Sequence, residues 1–223
     1  FALQFALTRL WAAWGITPAA VVGHSIGEYM AATAAGVFPP AAAARLLVER
    51  GRLTAQLPAG RMLAVMAGPD IVEPLVAKAR GEISVASYNS KNIIVISGTP
   101  GAVDEAARSV RSKGITAKPL ALDRAFHSPM MEPLLAPFAA AAQQVTFAEP
   151  MLPFFSTVTG KAESGLVATP GYWCDHIVRP VRFADSIARL AAEGFDTFIE
   201  IGPDPALIPM AKRCVETRAS WLP

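Results

Sequence analysis

At 223 residues the chain is long enough to bury one substantial core with room for a small inserted subdomain. Its 52% hydrophobic content is rich in alanine and its net charge is only +2. No stretch of about 18 apolar residues is free of charges and prolines, so neither a membrane span nor a nucleic-acid footprint is expected, although a weakly acidic protein partner would suit the charge.

Residues 1–14 read as an amphipathic helix with Leu3, Phe5, Leu7, Leu10 and Trp11 among its apolar positions, ended by Gly15-Ile16-Thr17-Pro18. The stretch lacks the basic leader and small-residue cleavage site of a secretory signal. Opening inside a helix without an initiator Met suggests a piece of a longer polypeptide. A strand over 19–22 follows and runs into Gly23-His24-Ser25-Ile26-Gly27, then a helix over 26–35 closed by Gly36. G-x-S-x-G between an apolar strand and a helix fits a nucleophile elbow, a turn expected to be too crowded for anything but glycine two residues before and two after the serine. The Ser25 hydroxyl then projects alone. The same turn sets the Ile26 N–H at a helix N-terminus, where it can stabilise an oxyanion.

Pro39-Pro40 precedes a helix over 41–56. On its helical wheel Arg50 shares a stripe with Leu46, Leu53 and Leu57, while Arg45, Glu49 and Arg52 project elsewhere. Two readings stand level. Arg50 either snorkels from the core or pairs with a buried carboxylate, or its guanidinium sits in a dry cleft to grip a ligand carboxylate bidentately. Residues 61–122 then change pattern: strands over 62–67, 83–87, 92–97 and 117–122 with helices over 70–79 and 101–113. That βαββαβ order is the signature of a ferredoxin-like unit.

Ala125-Phe126-His127-Ser128-Pro129 lies between that last strand and a helix over 129–143, bent at Pro137. His127 is the best-placed base, on a loop facing a cleft. His24 adjoins the serine but points away from its hydroxyl, and His176 lies in a stretch before Pro180. A strand over 153–159, a loop with Gly160 and Gly165, a helix over 182–193 and a strand over 197–201 follow. Asp204 is the expected cap, and Pro205 the first residue, of a last helix running past Pro209. Cys174 and Cys214 lie far apart and the three histidines do not cluster, so neither a disulfide framework nor a metal site is expected and a reducing cytoplasm is the default. The fold class is α/β: an α/β-hydrolase-like core with a parallel sheet over 1–60 and 123–223, and the ferredoxin-like insert over 61–122.

These motifs resemble the malonyl-CoA:acyl carrier protein transacylase family, most closely the acyltransferase domains of modular polyketide synthases. Gly23-His24-Ser25-Ile26-Gly27-Glu28-Tyr29 matches the family's G-H-S-x-G-E motif, and Arg50, 25 residues beyond the serine, falls where the family keeps its carboxylate-binding arginine. Ala125-Phe126-His127-Ser128-Pro129, Tyr172-Trp173 through Pro180-Val181-Arg182-Phe183, and Glu200-Ile201-Gly202-Pro203 match later blocks. The resemblance covers nearly the whole chain. It implies Ser25 as nucleophile, His127 as base, and a substrate-binding set of Arg50, Phe126 and His24. A backbone carbonyl at His176 is expected to orient His127, with Asp123 and Asp175 as fallback orienters.

Malonyl-selective members carry H-A-F-H where methylmalonyl-selective ones carry Y-A-S-H, so Phe126 implies malonyl; Arg124 departs from the usual His. The implied donor is malonyl-CoA and the implied acceptor the phosphopantetheine thiol of an acyl carrier protein, with flanking polyketide synthase domains as partners and no bound cofactor. The family has an N-terminal strand followed by a loop whose Gln contributes to the oxyanion site, and this sequence begins after it, so loss of that donor is expected to impair catalysis, by ~10²–10³ in rate. The rival readings are a serine esterase or thioesterase and a non-catalytic, truncated segment of a megasynthase.

Overall fold

The computed structural model of the chain describes residues 1–216 and 218–223. Helix α1 (Ala2–Ala13) opens the chain, followed by the short strand β1 (Val21–Val22), helix α2 (Gly27–Ala34) and helix α3 (Pro40–Thr54). Gly36 (φ +82°) ends the α2 segment as expected: its N–H bonds Thr33 O and that of Val37 bonds Ala32 O, satisfying the last carbonyls. Pro40 opens α3, where its missing N–H costs nothing. Helix α1 is amphipathic in sequence, yet none of its side chains is fully buried, and Leu3 and Leu10 are exposed.

The chain then makes β2 (Arg61–Val65), α4 (Pro69–Lys78), β3 (Ile83–Ser90), β4 (Ile93–Gly98), α5 (Pro100–Ser112) and β5 (Ala117–Pro119). The strands form one antiparallel sheet in the order β3-β4-β2-β5, the arrangement a βαββαβ chain adopts when both helices cover one face. Alternation along β2 sorts the side chains. Leu63 and Val65 join Ile94, Ile96, Val72, Val103 and Val110 beneath the helices, while Met62 and Ala64 join Ala86 and Val95 on the opposite face, where Phe126 packs. The entering and leaving connections run side by side, with Gly60 N–H donating to Asp123 O at 2.9 Å. A Cβ on Gly60 would lie 2.4 Å from Ala125 N, so this crossing requires glycine.

Beyond it come a 3₁₀ segment (Pro129–Leu134), α6 (Leu135–Ala142), β6 (Phe154–Ser156), β7 (Lys161–Glu163), α7 (Pro170–Val178), α8 (Phe183–Ala192), β8 (Thr197–Ile199), α9 (Ile208–Ala211) and β9 (Ser220–Leu222). Strand β1 runs parallel to β6, with Val21 opposite Phe154 and Val22 opposite Phe155, and β7 completes the sheet antiparallel. Its two faces feed two cores: Val21 and Phe154 pack with Tyr29, Leu46, Phe138 and Trp173, and Val22 and Phe155 with Phe183, Ile187 and Leu190. The fold is thus α/β, with β8 and β9 paired separately. On one edge, β3 meets the segment before α8: Val181 N–H donates to Ala86 O and Tyr88 N–H to Val181 O, both at 2.9 Å.

Four local expectations change. The 129–142 region breaks where 3₁₀ gives way to α-helix at Leu134, and Pro137 sits in the first turn of α6, where its N–H would be free anyway. Residues 161–163 pair as β7 where a loop was expected. Helix α7 was not anticipated, although Thr169-Pro170 is an N-cap signal: Thr169 Oγ1 accepts from Tyr172 N. The final helix is only Ile208–Ala211, and its cap is Glu200, whose carboxylate accepts from the N–H groups of Ala206, Leu207 and Ile208 at 2.8–2.9 Å, not Asp204. Among the described residues no helix is long and apolar enough to cross a membrane.

Candidate active site

Ser25 sits where β1 turns into α2, with φ +50°, a left-handed backbone that non-glycine residues adopt only when their surroundings impose it. Three turn bonds impose it: Gly27 N–H to His24 O, Glu28 N–H to Ser25 O, and Tyr29 N–H to Ile26 O. Among the described residues none accepts a hydrogen bond from the Ile26 N–H, which leaves it open beside the serine. The two glycines of the motif differ. A Cβ on Gly23 would lie 2.3 Å from Glu28 N, whereas one on Gly27 would meet nothing within 4 Å. Crowding therefore applies to the glycine before the serine and not, as expected from the sequence, to the one after it.

The loop leaving the four-stranded sheet brings His127 against the elbow, also with positive φ (+56°) and buried. Its Nε2 lies 2.7 Å from Ser25 Oγ, and its Nδ1 lies 2.9 Å from the backbone carbonyl of Arg179. A carbonyl only accepts, so Nδ1 carries the proton and Nε2 presents its lone pair to the serine hydroxyl, a tautomer assigned from these partners. Burial first, then the positive charge of Arg50, holds the His127 pKa well below its ordinary 6.5. At neutral pH the imidazole is an unprotonated base.

The orienting carbonyl corrects the sequence expectation of His176. Arg179 precedes Pro180, and the steric demand of that proline puts Arg179 in extended backbone (ψ 152°), which swings its carbonyl off the axis of α7 towards His127. His176 lies one turn earlier and enters the site with its side chain. Its Nε2 is 3.0 Å from Ser25 O and 3.1 Å from Glu28 Oε2, and its Nδ1 is 3.4 Å from Arg50 Nη1. Asp123 and Asp175 pair on the exterior with Arg124 and Arg179, respectively, and neither reaches His127.

Arg50 is 3% exposed on the face of α3 that carries Leu46 and Leu53. Its guanidinium lies 5.8 Å over the Tyr29 ring, and among the described residues no carboxylate pairs with it. Nη2 is buried with no hydrogen-bond partner, as is the Tyr29 hydroxyl. An orphaned buried guanidinium nitrogen is costly unless a ligand completes it, and a carboxylate is the complement of its planar fork. Phe126 packs between the cores on either side of the site, and its carbonyl accepts from Ser97 Oγ at 2.7 Å.

His24 was expected among the substrate-binding residues, but its Nε2 lies 2.7 Å from Asn89 Oδ1 and its ring 5.3 Å from that of Phe183, which makes it a strut between the elbow and β3. Sequence reasoning also missed the structural roles of two groups. Arg124 clamps the end of α3, donating to Thr54 O and Ala55 O at 3.1 Å each, so the loop bearing His127 is tied to the helix bearing Arg50. Glu28, wholly buried, accepts from Thr157 N at 2.5 Å and from Tyr172 Oη at 3.1 and 3.2 Å. The available signal was a carboxylate followed directly by the apolar run Tyr29-Met30-Ala31-Ala32.

The chain is similar to segments of known polyketide synthases. Polyketide synthase GfsB from Streptomyces halstedii is 40% identical over 220 residues, 97% of this chain and 4% of that protein. Spectinabilin polyketide synthase system protein NorB from Streptomyces orinoci is 42% identical over 217 residues, 96% of this chain and 10% of that protein. The chain therefore spans only a small part of these relatives. The acyltransferase domain from the second module of the salinomycin polyketide synthase superposes with a TM-score of 0.94 at 39% identity, covering 99% of this chain and 52% of that one. An acyl carrier protein S-malonyltransferase from Vibrio cholerae gives a TM-score of 0.92 at 30% identity, covering 100% and 75%. The acyl transferase domain family matches residues 1–221, and the chain belongs to it.

Proposed function

We propose that this acyl transferase domain moves a malonyl group from malonyl-CoA to the phosphopantetheine thiol of an acyl carrier protein, within a polyketide synthase, through an ester on Ser25. The observation that carries this reading is the orphaned Nη2 of Arg50, whose guanidinium is separated from the Ser25 backbone carbonyl only by the His176 imidazole. An esterase has no use for a buried guanidinium there. His127 Nε2 takes the Ser25 proton as Oγ attacks the thioester carbonyl, and the Ile26 N–H stabilises the resulting oxyanion. Collapse expels the CoA thiolate, which takes the proton back from His127 and leaves malonyl-O-serine. The carrier thiol repeats the sequence in reverse: His127 accepts its proton, the thiolate attacks the ester, and Ser25 leaves with that proton restored.

Arg50 would hold the free carboxylate throughout, and Phe126 would close the space that an α-methyl group needs; a single methyl group in such a pocket is worth ~1–3 kcal/mol of discrimination. The likeness to an acyl carrier protein S-malonyltransferase and to polyketide synthases supports the donor class and the setting.

Intact-protein mass spectrometry after incubation with malonyl-CoA tests the reading. The parent chain should gain one malonyl group and Ser25→Ala none; equal labelling of the two would refute the nucleophile assignment. Arg50→Ala should lose its preference for malonyl-CoA over acetyl-CoA by ~10²–10⁴-fold, the cost of about 3–5 kcal/mol for a buried carboxylate left without its partner. An unchanged ratio would refute the clamp.

A further inference from the structure

We infer that His176, backed by Glu28, is a positioning residue that aims Arg50 and sets its distance from the nucleophile. The inference rests on the reading of Arg50 as the carboxylate clamp and adds what holds that clamp in place. The protons of this buried chain can be assigned one at a time. A guanidinium only donates, so His176 Nδ1, 3.4 Å from Arg50 Nη1, carries a lone pair and the ring proton is on Nε2. That Nε2–H faces two acceptors, Ser25 O at 3.0 Å and Glu28 Oε2 at 3.1 Å. Glu28 in turn accepts from the Thr157 N–H and from Tyr172 Oη, and the Tyr172 oxygen accepts from Ser156 Oγ at 2.7 Å. Burial and the neighbouring Glu28 charge push the Tyr172 phenol well above its ordinary value, which keeps it a donor. His176 and Glu28 are 1% and 0% exposed, so this chain is sealed from water.

The order of the groups matters. A carboxylate placed directly on Arg50 would occupy the fork and compete with any acidic ligand. An imidazole interposed between guanidinium and carboxylate engages only Nη1, leaves Nη2 open, and keeps Glu28 one ring away. The Nη1 contact is long, so it steers the guanidinium without saturating it. Because the opposite edge of the same ring holds the Ser25 carbonyl, one rigid imidazole sets the span from nucleophile to clamp. That span selects acyl groups by the separation of their two carbonyl carbons, which favours a three-carbon diacid over a four-carbon one.

The test compares steady-state transfer from malonyl-, succinyl- and acetyl-CoA by the parent chain, Arg50→Ala, His176→Ala, His176→Phe and His176→Gln. Phe keeps a ring among Tyr29, Tyr172 and Trp173 while deleting both nitrogens, which guards against a cavity in the Ala variant. In whichever of the Ala and Phe variants melts as a folded protein, KM for malonyl-CoA should rise about tenfold or more, as expected for loss of a charge-assisted hydrogen bond. The malonyl-over-succinyl preference should narrow in the same variant, with KM for acetyl-CoA rising several-fold less than that for malonyl-CoA. His176→Gln, which retains one donor and one acceptor, should recover part of the malonyl preference.

Equal KM increases for malonyl- and acetyl-CoA, or an unchanged malonyl-to-succinyl ratio, would overturn the inference. So would a folded His176→Gln that prefers malonyl over succinyl no better than Arg50→Ala does, and this arm decides the matter if the nitrogen-free variants do not fold. If Arg50→Ala abolishes malonyl preference and the His176 variants do not alter it, only the positioning role fails. If Arg50→Ala itself changes nothing, the clamp reading fails first.

Discussion

The asymmetry of the elbow glycines makes a sharp prediction, because the two look equivalent in the motif. A Cβ at position 23 would lie 2.3 Å from Glu28 N, 2.4 Å from Glu28 Cα and 2.5 Å from Gly27 C. All three are backbone atoms of the first turn of α2, so relief requires moving the helix off β1 by roughly 1 Å, and overpacking of this kind costs ~1–3 kcal/mol. For a chain of this size 1 kcal/mol corresponds to about 2–4 °C in Tm, so Gly23→Ala should melt ~3–10 °C below the parent. The movement also displaces Ser25 from His127 and Glu28 from His176, so malonyl labelling should fall disproportionately. A Cβ at position 27 meets nothing within 4 Å and Gly27 is helical. Gly27→Ala should therefore hold or gain about 0.4–1 kcal/mol through the reduced freedom of the unfolded chain. Thermal melts followed by circular dichroism, with mass-spectrometric labelling alongside, decide it. A Gly23→Ala variant that melts with the parent, or a Gly27→Ala loss as large as that of Gly23→Ala, would refute the argument.

The His127 base should remain competent as pH falls through 6.5, since burial and Arg50 depress its pKa; the acid limb of kcat/KM for malonyl-CoA should lie below that value and shift to higher pH in Arg50→Ala. His24 is lowered too, chiefly by burial, so below about pH 6.5 the unfolded chain binds protons that the folded chain refuses, and Tm should decline as pH drops from that point. Arg124→Ala removes the donors that tie the His127 loop to the end of α3 and should cost about 1–2 kcal/mol, read as a lower urea midpoint at unchanged slope.

Local patterning dictated much of this protein. The order of short strands and helices over 61–122 was readable, Gly36 and Pro40 punctuated the helices, and the Leu46–Leu53 stripe put Arg50 on the apolar face of its helix, leaving open whether it snorkels out or stays buried. Elements escaped where the deciding interaction was distant. Strand β7 exists because β6 offers it an edge, and the last helix is capped by Glu200 from across a turn, so the local caps Asp204 and Pro205 did not decide its start.

The site divides in the same way. The elbow serine, the base and the apolar-face guanidinium were legible because each needs a particular residue type in a particular local setting. Which carbonyl orients His127 was not, because it depends on where the end of α7 lands, although Arg179-Pro180 carried the backbone signal. Nor was the chain from Glu28 through His176 to Arg50, whose members come from α2, α7 and α3 and meet only when those helices pack. The sequence by itself determined which groups have the chemistry to act. Tertiary structure decided their partners, because a hydrogen bond between residues 126 positions apart depends on packing that no local propensity encodes.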